Sequence, residues 1–195
     1  ILLDTFEVTQ PSMPVVVNYS TIDISCYGGN DGSIILEVIG GTSPYTYLWS
    51  GGATSDSIGG LSSQNYTVTV TDNNSCTETA MIFVPQPGAI DINIISIDHV
   101  SCYAGFDGAI DINVVGGVGI YSYLWSNGAI TEDISGVPAN NYILTVTDAN
   151  GCTSSDTIEV TQPASELSLG LTAIAVNCYD GNDGSISSLV SGGVS

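Results

Sequence analysis

The stretch CYGGNDGSI at residues 26–34 decides the fold, because the chain repeats it twice more. It returns as CYAGFDGAI at 102–110 and as CYDGNDGSI at 178–186, with the same spacing each time. Between the segments 20–95 and 96–171, 33 of 76 positions are identical without a gap. The chain is therefore a tandem array with a period of 76, and this period predicts small domains joined in series.

Gln-Pro recurs near the end of each repeat, at 10–11, 86–87 and 162–163, and we place the domain boundaries after these pairs. This division predicts the end of a preceding module at 1–11, complete modules at 12–87 and 88–163, and the start of a further module at 164–195. No flexible linker separates them, which favours a semi-rigid rod over freely jointed domains.

Strand patterns dominate each repeat. In GSIILEVIGG (32–41), the positions of Ile34 and Leu36 stay apolar in the second repeat, whereas the positions between and after them, Ile35 and Glu37, become Asp and Asn. Such alternation indicates a strand with one buried face. Six or seven short strands per repeat, Gly-Gly and Asp-Gly turns and one Trp predict an all-β fold of tandem immunoglobulin-like β-sandwich modules. Apart from their copies in neighbouring repeats, the predicted core residues are Ile34, Leu36, Val38, Tyr45, Tyr47, Trp49, Tyr66, Val68, Val70, Ile82 and Val84.

Five cysteines follow the same period in two families. Each complete repeat holds one of each, so we predict one disulfide per module, Cys26–Cys76 and Cys102–Cys152. Each would close a loop of about 50 residues and contribute about 4 kcal/mol in the chain-entropy model. Cys178 would then pair beyond this segment, near position 228; a reactive thiol or metal ligand is the alternative interpretation. Paired cysteines at this density indicate an oxidising, extracellular compartment.

The charge is of one sign: there is no lysine or arginine, against 20 acidic residues, for a net charge of −20. Such a surface repels DNA, RNA and anionic lipid headgroups, so nucleic acid is excluded as a partner. No apolar run approaches the length of a membrane span, and we expect no direct membrane insertion.

The Asp-Gly loops are candidates for calcium. If Cys26 bonds Cys76, Asp31 and Asp72 come to the same end of the module, and calcium takes six to eight oxygen ligands. The other repeats offer Asp107 with Asp148, and Asp183. The second interpretation is that these aspartates only build turns, each accepting hydrogen bonds from its own backbone.

We find no catalytic constellation in the sequence. His99 is the only histidine, and the preceding repeat has Asp23 at that position. A catalytic histidine needs an orienting group and a nucleophile within reach, so we interpret His99 as a surface residue and expect no enzyme activity.

Taken together, CYGGNDGSI, GGTSPYTYLWSGG, NYTVTVTDNNSC and the closing Gln-Pro resemble the SprB repeat, over essentially the whole chain. That family occurs in very large surface proteins of Bacteroidota, including the mobile adhesin of gliding motility. The resemblance implies type 9 secretion, display on the cell surface and a stalk of many repeats. Ala104 and Phe106 depart from the first copy of the loop.

We therefore expect a structural stalk segment of a large secreted adhesin or filament, linked to gliding motility or surface attachment. Its expected partners are neighbouring modules of the same chain, with surface polysaccharide or like filaments as further candidates, and it needs no cofactor. The alternative is an extracellular module that binds calcium, carbohydrate or both through the Asp-Gly loops.

Overall fold

The structure is a computed structural model, and it describes residues 12–193. The predicted end of a preceding module at 1–11 lies outside these residues. The described chain divides between Ala89 and Ile90 into two compact units. Within 12–193 no helix is long and apolar enough to cross a bilayer.

Each complete module has six strands. The fourteen strands of residues 12–193 are β1 (Val16–Ile22), β2 (Gly32–Ile39), β3 (Thr46–Trp49), β4 (Ser57–Leu61), β5 (Asn65–Thr71), β6 (Thr77–Phe83), β7 (Asp91–Asp98), β8 (Gly108–Val115), β9 (Ser122–Trp125), β10 (Ile134–Val137), β11 (Asn140–Thr147), β12 (Thr153–Val160), β13 (Ser168–Ile174) and β14 (Ser185–Ser191).

The sheets have the topology of an immunoglobulin-like sandwich. In the first module the antiparallel sheets run β1-β2-β4 and β3-β5-β6, and in the second they run β7-β8-β10 and β9-β11-β12. These correspond to the A-B-E and C-F-G sheets of the immunoglobulin fold, without its D strand. The predicted all-β class and the tandem immunoglobulin-like modules are confirmed. Strands β13 and β14 repeat the first hairpin of a module.

The period-two prediction of the core is also confirmed. Ile34 and Leu36 are buried while Ile35 between them is exposed, and Ile110 and Ile112 are buried in the same way. Each complete module encloses its own apolar cluster, which holds the Trp and the inward-facing residues of both sheets.

Two aromatic residues of each module tie the core to the backbone. The indole nitrogen of Trp49 donates to the carbonyl of Ser55 at 2.9 Å, and Trp125 donates to Thr131 at the same distance. The hydroxyl of Tyr142 donates to the carbonyl of Pro138, four residues upstream, at 2.8 Å. This last contact is the tyrosine corner of immunoglobulin-like domains, and it satisfies the polar tip of a buried ring.

The strand directions give each module two distinct ends. In the first module β1, β3, β4 and β6 run one way, and β2 and β5 run back. The upstream end comprises residues 12–15, 40–42 and 72–76, where the chain begins β1. The downstream end comprises residues 23–31, 61–64 and 84–87, where the chain leaves β6. The second module has the same two ends at the equivalent positions of its own repeat.

The predicted disulfides Cys26–Cys76 and Cys102–Cys152 are wrong. Cys76 and Cys102 are exposed free thiols, as is Cys178, whereas Cys26 and Cys152 are disulfide-bonded. The pairs cannot form within a module because their members lie at opposite ends of it. Strand β6 alone separates the ends by about 23 Å at roughly 3.3 Å per residue. A disulfide needs Cα atoms within about 4.4–6.8 Å.

Candidate functional site

The cysteine loop forms the downstream end of each repeat. The backbone nitrogen of Gly29 donates to the carbonyl of Cys26 at 2.9 Å, which closes a tight turn. The third residue of this turn has a left-handed backbone in all three copies, with φ of +72° at Gly28 and +56° at both Ala104 and Asp180. The turn therefore keeps its shape although its third residue changes.

The aspartate of the Asp-Gly pair fastens the start of the loop. Asp31 accepts hydrogen bonds from the backbone nitrogen of Ser25 at 3.1 Å and from its hydroxyl at 2.5 Å. Asp107 accepts the same two bonds from Ser101. The side-chain bond from Ser25, followed by the backbone bond, lowers the pKa of Asp31 below its ordinary value. The carboxylate is thus a structural acceptor within its own loop.

The closing Gln-Pro belongs to the same site, which the sequence did not reveal. The side-chain oxygen of Gln86 accepts a hydrogen bond from the nitrogen of Gly28 at 2.9 Å, and Gln162 accepts one from Ala104 at 2.8 Å. Each glutamine reaches across 58 residues of sequence to hold the cysteine loop. The only sign of this role in the sequence was that Gln-Pro recurs at the same place in every repeat.

A second aspartate organises the upstream end. One carboxylate oxygen of Asp72 accepts bonds from the nitrogens of Asn74 at 2.9 Å and Cys76 at 2.8 Å. The other oxygen accepts one from the nitrogen of Thr42 at 2.9 Å. Asp148 makes the equivalent contacts with Asn150, Cys152 and Val118. Asp72 and Asp148 are both buried, and each joins two loops of its module.

Opposing effects set the pKa of these buried carboxylates. Burial pushes the pKa of Asp72 upwards, but the backbone nitrogens of Cys76, Thr42 and Asn74 together outweigh it, so the pKa is lowered. The same balance lowers the pKa of Asp148. Both aspartates therefore remain ionised at neutral pH.

The structure does not bring the calcium candidates of a module together. Asp31 lies at the downstream end and Asp72 at the upstream end, and Asp107 and Asp148 are separated in the same way. Asp183 accepts bonds from Asn177 at 3.0 and 2.6 Å. Among residues 12–193, no group of three or more acidic, histidine or cysteine side chains is placed to hold a metal. The turn interpretation describes the observed contacts, and calcium binding stays a prediction.

His99 lies at the downstream end of the second module. It is exposed, and its Nδ1 accepts a hydrogen bond from the backbone nitrogen of Thr161 at 3.1 Å. This hydrogen bond joins the segment before the cysteine loop to the segment after β12. His99 therefore has a structural contact among the described residues.

Comparison with solved structures supports the fold. Three N-terminal domains of the bacteriophage RB49 Highly Immunogenic Outer Capsid protein (Hoc) superpose with a TM-score of 0.50 at 14% sequence identity. The match covers 92% of this chain and 68% of that one. No curated protein sequence matches the chain.

Comparison with known families matches the SprB repeat twice, at residues 18–54 and 94–130. The two matched segments start one full repeat apart, in agreement with the period of the array. Each contains the cysteine loop, the second strand of its module and the Trp of the third. Each of these two segments is therefore similar to the SprB repeat.

Proposed function

We propose that these modules are stalk segments of a large secreted cell-surface adhesin or filament, which serves gliding motility or surface attachment. One observation carries the proposal: each complete module receives the chain at its upstream end and releases it at the opposite, downstream end. Modules of this kind, joined by short connections, add their lengths in series. A stalk needs this property, and a compact binding protein or enzyme does not.

The strand pairing suits a load applied along the chain. Tension pulls the start of β1 away from the upstream end and the last strand away from the downstream end. Strand β1 pairs with β2 over seven residue pairs, from Val16 with Ile39 to Ile22 with Ser33. A pull along the strand loads these bonds together, because it acts parallel to the ladder and does not peel it from one end.

The surface chemistry supports a role outside the cell as a spacer. With 20 acidic residues and no basic side chain to neutralise them, neighbouring stalks repel one another, and salt screens this repulsion over about 10 Å at 0.1 M. We propose neighbouring modules as the main partners, with surface polysaccharide or like filaments as further ones. We also propose that the modules are not catalytic.

Small-angle X-ray scattering tests the series arrangement. We would compare chains that carry two, four and eight complete repeats. If the modules form a stalk, the maximum dimension grows in proportion to the number of repeats. A matched set of arrays with a Gly-Ser linker inserted after each Gln-Pro gives the maximum dimension expected for flexibly joined modules. If the maximum dimension of the natural arrays grows no more steeply with repeat number than that of the linker set, the modules do not form a stalk.

Display on the surface has its own test. Antibodies raised against the chain should label intact cells of the source organism without permeabilisation. Labelling that requires permeabilisation would contradict the extracellular assignment. Trypsin is unsuitable for shaving the protein from cells, because the chain has no lysine or arginine.

A further inference from the structure

The outer face of the β3-β5-β6 sheet is uncharged, although the chain as a whole is strongly acidic. Side chains alternate between the two faces of a strand, so the residues on either side of the buried Val68 and Val70 lie on the outer face. Among the described residues of the three strands, this face holds six threonines, Asn65, Leu48, Met81 and Phe83. We call it the neutral face of the first module.

The threonine hydroxyls of the neutral face already have partners within the sheet. Thr69 lies between Leu48 and Thr79 in the register of the three strands, and its hydroxyl is 3.4 Å from that of Thr79. The hydroxyl of Thr46 donates to the carbonyl of Thr71 at 3.4 Å. Polar groups with such partners lose less when water is removed, so this face can be covered at a low desolvation cost.

The apolar residues of the neutral face gain from being covered. Leu48, Met81 and Phe83 are 58%, 69% and 56% exposed. Leu48 lies on one edge strand of the sheet, and Met81 and Phe83 lie on the other edge strand. Apolar side chains grouped on one uncharged face are typical of a surface that binds another molecule.

The second module repeats this arrangement on the outer face of its β9-β11-β12 sheet. Leu124 and Ile143 are exposed there, and the hydroxyls of Thr145 and Ser155 lie 3.2 Å apart. Among the described residues, the one charged side chain on this face is Glu159, which is near the end of β12. The neutral face is therefore a property of both complete modules.

The outer faces of the other two sheets carry charge. Glu37 lies between Ile35 and Ile39 on the outer face of β2. In the second module, Asp98 and Asp111 are exposed on the outer face of β7 and β8. A second acidic chain is repelled from these faces, even where they hold apolar residues.

The free edges of the two neutral sheets are charged as well. Glu78 on β6 is opposite the buried Val70, and Asp156 on β12 is opposite the buried Leu144. Both carboxylates therefore lie on the inner side of an edge strand, although they are exposed. Charged residues that point inwards at an edge prevent strands of another chain from pairing there.

We propose that two copies of this chain associate laterally through their neutral faces once salt has screened the repulsion between them. The inference rests on the proposed function and deepens it, because it identifies the surface by which like filaments meet. The two copies use the same face, as in an isologous contact, and the sheets pack about 10 Å apart. The net charge sets the salt concentration at which the copies meet, and the neutral face sets where they touch.

The size of the neutral face makes each contact weak. Three strands about 4.8 Å apart and seven residues long present roughly 330 Å² in one module. A stable interface takes about 800 Å² from each partner. A short chain therefore associates weakly, and an array associates more strongly only where several modules make contact at once.

Sedimentation equilibrium of the whole chain tests the contact at protein concentrations up to about 1 mM, the range of weak association. Between 0.1 M and 1 M sodium chloride the screening length falls from about 10 Å to about 3 Å, which weakens the repulsion and leaves the apolar contact. The measured mass should move from monomer towards dimer as the salt concentration rises. A chain that stays monomeric throughout would overturn the proposal. Association that weakens with salt would overturn it too.

Two double variants locate the contact. Leu48→Glu with Leu124→Glu places one negative charge on the neutral face of each module, where it meets a like charge in the second copy, so the association constant should fall at least about tenfold. Ile35→Glu with Asn113→Glu adds the same two charges to the outer faces of the other sheets and should dimerise as the wild type does. Near-ultraviolet circular dichroism of the tryptophans shows whether each variant folds. Equal losses in the two folded variants would overturn the proposal, because they would show that net charge and not the neutral face decides association.

Failure of the lateral contact can be told apart from failure of the stalk. If the chain stays monomeric while the dimension of the arrays grows in proportion to repeat number, the stalk stands and the lateral contact is wrong. If the neutral faces dimerise while the arrays grow no more steeply than the linker set, the stalk is wrong. Dimers that form with calcium, but not with sodium chloride of equal ionic strength, would assign the association to bridged carboxylates and overturn the neutral-face contact.

Discussion

Gln86 places its side-chain oxygen 2.9 Å from the backbone nitrogen of Gly28, a residue 58 positions earlier in the chain. The contact links the last residues of a repeat to the cysteine loop near its beginning, and Gln162 makes the same contact with Ala104. The two most regular motifs of the sequence therefore form a single structural element at the downstream end.

Replacing Gln86 should loosen that end. Gln86→Leu removes the acceptor and leaves the nitrogen of Gly28 without its partner, so we expect a loss of about 0.5–1.5 kcal/mol in the free energy of unfolding. Gln86→Glu keeps an acceptor oxygen and should lose less. Urea unfolding of the two variants measures the difference, and equal losses would show that the hydrogen bond is not the cause.

The buried aspartate predicts a pH-dependent stability. Asp148 has a folded pKa below its ordinary value of 3.8, so its contribution is complete above that value and is lost as the pH falls through the folded pKa. At pH 7, Asp148→Asn should lower the melting temperature by about 5–10 °C. The gap in melting temperature between variant and wild type should narrow as the pH falls below 3.8.

Asp111 provides the control for charge. It is exposed on β8, and Asp111→Asn removes the same negative charge without breaking contacts at the upstream end. Thermal melts between pH 3 and pH 7 should show little difference from wild type for this variant. If both variants follow the same pH profile, net charge and not the hydrogen bonds of Asp148 sets the dependence.

The cysteine loop has no room for a side chain at Gly29. A Cβ atom there would lie 2.9 Å from a methyl group of Ile24 and 3.0 Å from the carbonyl oxygen of Cys26. We expect Gly29→Ala to cost about 1–3 kcal/mol, because backbone as well as side chain must shift. Gly51→Ala meets nothing within 4 Å and should stay within about 0.5 kcal/mol of wild type. Equal unfolding midpoints for the two variants would contradict this account.

Calcium binding can be tested by measuring the midpoint of thermal unfolding in the presence of calcium and then in the presence of a chelator. Asp31 and Asp72 lie at opposite ends and already accept protein hydrogen bonds, so we expect calcium to raise the midpoint no more than magnesium at equal concentration. An additional rise of several degrees that Asp31→Asn abolishes would establish the Asp-Gly loop as an ion site and support the alternative function.

The sequence predicted the strands and the core because alternation of apolar residues reports directly on burial. The burial of Ile34, Leu36 and Trp49 could be predicted without knowing how the strands are connected. The disulfide pairing depends on the strand topology, and the predicted pairing was wrong. In a chain whose strands alternate in direction, the residues after the first and fifth strands lie at the same end, which would join Cys26 to Cys76. Strands β3 and β4 run in the same direction because the D strand is absent, and this moves Cys76 to the other end.

The role of Gln86 was hidden for a different reason. A side chain that accepts one hydrogen bond from a loop 58 residues away leaves no periodic pattern, and the adjacent proline suggested only a boundary. The repeat revealed that the position mattered, and the structure was needed to show why.

Pulling on a single array of eight repeats tests the stalk most directly. The modules should unfold one at a time, each releasing the chain of one repeat, or roughly 250 Å at about 3.3 Å per residue. Discrete steps of that length, one for each repeat, are the predicted result. Extension without steps, or steps that do not correspond to one repeat, would contradict a stalk of independently folded modules that bear force in series.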